Sequence, residues 1–215
     1  MASAEQTTTG RRSGFERTVA FSDGVFAIAI TLIVLSIDVP DLSSGADLGA
    51  ALRDLGPNFL AYFIGFAVIG LFWINHHRFF EQLERFDFRL LWLNLLFLSL
   101  VCLLPFTTDV LGTYDRESVA VALYALNVGA ASLVDALMTA FALRNRLARA
   151  DVQRAWRFVM VMNLIPPAIF LGSIPIAYLD PHLAMWSWLL LAIVPRLLRR
   201  SDLLGPRPAP VEAQR

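Results

Sequence analysis

Arg17-Thr-Val-Ala-Phe21-Ser22-Asp23-Gly24-Val-Phe-Ala-Ile28-Ala-Ile-Thr31-Leu32-Ile-Val-Leu35-Ser36-Ile37-Asp38 is the stretch on which the fold class turns. As a helix it is long enough to cross a bilayer core, which takes about 20 residues. Yet it opens on an Arg, a Ser and an Asp. An ionisable residue at the hydrocarbon edge is costly, so it faces protein or water and marks a candidate functional position. Gly24, Ile28, Thr31, Leu35 and Asp38 recur at steps of four and three, with Leu32 beside them, and so share one helical face. That face runs small, branched apolar, hydroxyl, apolar, acidic. The same spacing also describes an ordinary helix-packing seam, and periodicity alone does not separate the two.

Outward from this stretch, the 215 residues are 57% hydrophobic, and the apolar residues fall into blocks rather than short alternating runs. Six helices are expected, over about 19–38, 57–77, 88–110, 117–143, 155–179 and 182–199. The chain therefore reads as an all-α integral membrane protein, one six-helix unit over residues 17–200. Residues 1–16 are polar and read as a short disordered cytosolic tail, and 201–215, with Pro206, Pro208 and Pro210, as a disordered C-terminal tail. Asp23 interrupts the first block and further spans follow, so it is kept rather than cleaved as a signal peptide. Pro166, Pro167 and Pro175 in the fifth block are read as kinks, not a break.

Charge sets the orientation. All 18 basic residues are Arg. The first, third and fifth connections hold Asp41, Asp47, Asp54, Asp109, Asp115, Glu117 and Asp180, with Arg53 and Arg116 as their basic residues. The remaining 16 Arg lie in the other connections and the two tails. By the positive-inside tendency both termini are cytoplasmic. The acidic connections then face outward, where they raise the local cation concentration.

Few polar groups suit chemistry. Cys102 is the single cysteine, which rules out an intrachain disulfide or a Cys-based metal site and leaves it as core filler. His76 and His77 point about 100° apart on a helix and lack a ligand-spaced partner, so no resident metal is expected. They suit hydrogen bonding near the cytosolic interface instead. No phosphate loop or nucleophile elbow is present, so neither an enzyme, a cofactor nor a nucleic-acid partner is expected. A Thr-Val-Gly-Tyr-Gly filter is also missing, so any ion selection falls to side chains of the first helix. Arg17, Ser22 and Asp23 lie at the same membrane level as His77 and Asn94, and a network among them is expected to relieve the cost of burying each. Asp135 in the fourth helix has no partner that can be named. Trp73, Trp186, Ser187 and Trp188 read as interface residues.

Arg17-x-x-x-Phe21-Ser22-Asp23 followed by Gly-Val-Phe-Ala-Ile-Ala-Ile-Thr-Leu resembles the first-helix signature of the transmembrane-protein-175 family of potassium channels. Phe72-Trp73-Ile74-Asn75-His76-His77-Arg78, Trp92-x-Asn94-Leu and Pro105-Phe106-Thr107 extend the resemblance over roughly the first half of the chain. It implies a bacterial cell-membrane channel selective for potassium over sodium, binding the ion only transiently. It also implies a homotetramer around a central pore lined by the first helix of each subunit. Ile28, Leu32 and Leu35 then fall at the apolar constriction, with Ile28 the tightest ring and Thr31 the hydroxyl among them. Asp38 stands at the extracellular mouth, and Ile33 at a lipid-facing position. The rival from another class is a proton-coupled secondary transporter with Asp23 and a histidine as relay, which favours broken helices and two related halves. A membrane scaffold without transport is the third.

Overall fold

Within a bilayer every backbone N–H and C=O has to find its partner in the chain itself, so each apolar block becomes a helix. The computed structural model describes residues 2–40 and 47–200, nearly all helical. The order is α1 (Ala2–Leu32) with a 3-10 turn over Ile33–Ser36, α2 (Leu48–Asp54), α3 (Gly56–Glu81), α4 (Phe88–Thr113), α5 (Ser118–Arg144), α6 (Ala150–Arg154), α7 (Trp156–Ala177), α8 (Pro181–Ser187) and α9 (Leu190–Arg200). Six stretches are long and apolar enough to span: Gly14–Ser36, Asn58–Glu81, Phe88–Thr113, Ser118–Arg144, Trp156–Ala177 and Pro181–Leu198. Asp87 caps α4 by accepting from the Arg89 N–H at 2.8 Å, and Asp180 caps α8 by accepting from the His182 N–H at 2.8 Å.

Three local expectations change. The stretch expected as a tail, residues 1–16, is helical from Ala2 and continuous with α1. The sixth span is two helices, broken at Trp188–Leu189. Trp188 is drawn inward, where its indole packs on Tyr124 and Phe170 at 5.3 Å and its N–H donates to Ser173 Oγ at 2.9 Å. It therefore belongs to the bundle interior rather than the membrane interface, where the exposed Trp186 remains. The prolines of α7 do not interrupt it. Asp41 and the expected C-terminal tail lie outside the described residues.

α5 is the centre of the bundle, with 67% of its span buried. Its many alanines and Gly129 let α7 and α4 approach closely, the usual basis of packing without a hydrophobic drive between helices. At Gly129 a side-chain carbon would meet Leu171 Cδ2 at 2.7 Å and the Leu171 backbone nitrogen at 3.3 Å. α1, α3 and α4 form the other side, meeting where Gly65 faces Thr108 and Ile33. The Arg-rich connections are tied together at one end: the Glu84 N–H donates to the Leu147 carbonyl at 2.9 Å, and the Arg149 N–H to that of Gln82 at 3.0 Å. The Arg85 guanidinium donates to the carbonyl of Arg146, which holds a left-handed φ of 52°.

Candidate functional site

α1 has two apolar stripes, and its own protomer uses one of them. Ser22, Phe26, Ala29 and Ile33 are between 0% and 2% exposed and pack on α3 and α4. Gly24, Ile28, Thr31, Leu32 and Leu35 lie on the opposite side, and all are exposed, Ile28 to 62% and Leu35 to 71%. The seam that holds α1 in the bundle is therefore not the stripe quoted above. Ile33 is corrected from a lipid-facing position to a core one: five residues on from Ile28 it turns about 140° away, into the space beside Gly65.

Thr31 Oγ donates to the Ile28 carbonyl at 2.8 Å. This back-bond occupies the hydroxyl proton and leaves oxygen lone pairs on the exposed face. Asp38, just past the 3-10 turn, is exposed beyond the end of the stripe. The outward face thus offers branched apolar side chains, one hydroxyl oxygen and a terminal carboxylate.

Behind this face lies a hydrogen-bonded chain through three helices. His76 Nε2 stands 2.8 Å from Asn94 Oδ1, and Asn94 Nδ2 donates to Ser22 Oγ at 3.0 Å. Ser22 Oγ in turn donates to the Thr18 carbonyl at 2.9 Å. Since the Asn94 amide gives its protons to Ser22, its oxygen accepts, and His76 carries its proton on Nε2. His76, Asn94 and Ser22 are each no more than 1% exposed. The imidazole stacks on Phe97 at 5.5 Å and 7° and touches Phe26 and Phe80. Enclosed by three rings and committed to Asn94, it holds α3, α4 and α1 in register.

Of the residues expected in this network, Ser22 and Asn94 meet, but the histidine beside them is His76 rather than His77. His77 is turned outward, stacks on Trp73 at 5.7 Å and places Nε2 3.5 Å from Glu81. Asp23 reaches α3 instead, its Oδ1 accepting from Trp73 Nε1 at 2.9 Å. Arg17 forms no ion pair with Asp23 among the described residues, because six positions along one helix leave the two about 120° apart. Phe21 is exposed on the outward face. His76 shares the face that α3 turns inward with Gly65, Ile69 and Phe72, at steps of four, three and four, but α3 is apolar all round and its sequence alone does not single that face out.

Residues 17–105 match the family described as "Endosomal/lysosomal potassium channel TMEM175". A protein of Streptomyces collinus named as a potassium channel is 46% identical over 121 residues, 54% of this chain and 59% of the relative's length. One from a Chryseobacterium species, also named as a potassium channel, is 30% identical over 180 residues, 83% of this chain and 90% of that one. Among solved structures, a lysosomal potassium-selective channel TMEM175 homologue from Chamaesiphon minutus superimposes with a TM-score of 0.74 at 32% identity, covering 88% of this chain and all of that one. The first-helix motif, the six spans and a shared fold over nearly the whole length agree: the chain belongs to the TMEM175 family, a family of ion channels and not of enzymes.

Proposed function

We propose that the chain is one subunit of a potassium channel that prefers potassium to sodium, works without a carbonyl filter, and selects and gates with the outward side chains of α1. The observation that carries this reading is the exposed stripe of α1 opposite its packing seam. One helix cannot enclose a path, whereas four copies about a symmetry axis present four such stripes to a common space. Ile28, Leu32 and Leu35 then become apolar rings about a turn apart, narrow enough to close by dewetting. Thr31 contributes a ring of hydroxyl oxygens for a partly dehydrated ion, and Asp38 a ring of negative charge at the mouth. With both termini cytoplasmic, as the placement of Arg suggests, that mouth is extracellular.

The test is reconstitution of the purified protein in liposomes with potassium inside and sodium outside. Discrete current steps reversing toward the potassium potential are expected. Slow saturable flux that follows a proton gradient points to the transporter reading, and no flux at all to a scaffold. Either result overturns the channel.

A further inference from the structure

We propose that the half-open cavity between α3, α5, α7 and α9 is a binding site for an organic ammonium compound, a small cation carrying an apolar body. The cavity measures about 510 Å³, within the range of pockets that hold drug-sized ligands. No described residue of α1 lines it, so the inference stands apart from the channel reading.

One wall is polar. Ser132, Asp135 and Thr139 stand at steps of three and four on α5 and share its cavity face. Asn163 of α7 donates to Thr139 Oγ at 3.2 Å, closing that wall from the other side. Asp135 is the carboxylate in the lining, and it forms no hydrogen bond or ion pair with any described residue. A carboxylate inside a spanning helix is costly unless something compensates it. Here no described residue supplies compensation, and Asp135 lines open space.

The other walls are largely apolar, with Phe72, Phe158 and Phe170 among their residues, while Asn75, Arg78 and Gln82 of α3 add polar groups at one end. Aromatic faces attract cations electrostatically, and the attraction grows when both are removed from water. A carboxylate at one side and rings at the others suit an ammonium group on a hydrocarbon body. A bare metal ion would leave most of this volume unfilled and gain nothing from the rings. An anion would meet Asp135. Arg78 also lines the cavity, near the Arg-rich end of α3, and is not paired with Asp135. It repels a simple cation but would attract the anionic end of a zwitterion, which makes the two occupants separable.

The experiment is calorimetric titration of the full chain in lipid nanodiscs with phenethylammonium and, separately, with its neutral isostere 2-phenylethanol. The amine is expected to bind at least about tenfold more tightly than the alcohol, the factor that one charge-assisted contact corresponds to. Asp135→Asn should abolish that difference while leaving alcohol binding unchanged. Arg78→Ala should tighten the amine, and Ile28→Ala, on the other side of the bundle, should leave both titrations unchanged. Equal affinities for amine and alcohol, or no heat with either, would overturn the proposal. Amine binding unaffected by Asp135→Asn, or weakened by Arg78→Ala, would do the same. If Asp135→Asn does not assemble, the comparison of amine with alcohol on the unmodified chain decides alone.

Discussion

Asn94 does more for α1 than any residue on its outward face, because it is the single group that both His76 and Ser22 depend on. Asn94→Leu preserves the volume and leaves the buried His76 N–H unmet, worth roughly 1–3 kcal/mol, while Ser22 loses the Asn94 amide but keeps its bond to the Thr18 carbonyl. A clear fall in the thermal midpoint in detergent is expected, whereas His77→Ala, which removes a half-exposed pair with Glu81, should cost less than about 1 kcal/mol. Equal midpoints for the two variants would contradict the assignment of His76 to the network. On the outward face, Thr31→Val keeps the shape and removes the oxygen. It should lower the potassium-to-sodium permeability ratio measured from reversal potentials, and an unchanged ratio would deny Thr31 a selecting role. What the sequence showed of these residues was their membrane level, not their direction. Adjacent histidines differ by about 100°, so deciding between His76 and His77 requires knowing which face of α3 is buried. That depends on α1 and α4, not on α3 alone.

At the level of helices, legibility followed the strength of the physical constraint. Hydrocarbon thickness and the demand for internal hydrogen bonds dictate spans, so the six blocks emerged from hydropathy to within a few residues. The break in the sixth was hidden because its cause is tertiary: Trp188 seats between Tyr124 and Phe170, and the helix turns to permit it. Close approaches are likewise invisible in sequence, where every glycine looks alike. Gly129→Ala has to displace Leu171 across the α5–α7 contact and should destabilise by roughly 1–3 kcal/mol. Gly172→Ala, next to Leu171 on α7, meets nothing within 4 Å and should be neutral or gain up to about 1 kcal/mol from helix propensity. Thermal unfolding of the two single variants measures the contrast, and a cost at Gly172 as large as at Gly129 would mean that the contact is not the cause.

For the whole molecule, the decisive asymmetry is that α1 is packed on one side and bare on the other. The sequence contained both stripes, Ser22-Phe26-Ala29-Ile33 and Gly24-Ile28-Thr31-Leu35, but nothing in their periodicity said which one the protomer consumes. Only the positions of α3 and α4 resolve that, which is also why Ile33 was misplaced. If four bare stripes face one axis, adjacent copies of Ile28 lie close together while copies of Ala29 stay inside separate protomers. Cysteine cross-linking reads this directly, since a disulfide forms only with Cβ atoms about 3.5–4.5 Å apart. Cys102, the single cysteine, is exposed rather than the core filler expected from its apolar setting, so Cys102→Ala provides a clean background. In that background Ile28→Cys should yield covalent dimers on oxidation in the membrane, and native mass measurement in detergent should give four copies. Ala29→Cys, 1% exposed, should remain monomeric on a denaturing gel. Dimers from both positions would mean unspecific contact, and dimers from neither, with a monomeric native mass, would mean that the stripe faces lipid and that ions take another route.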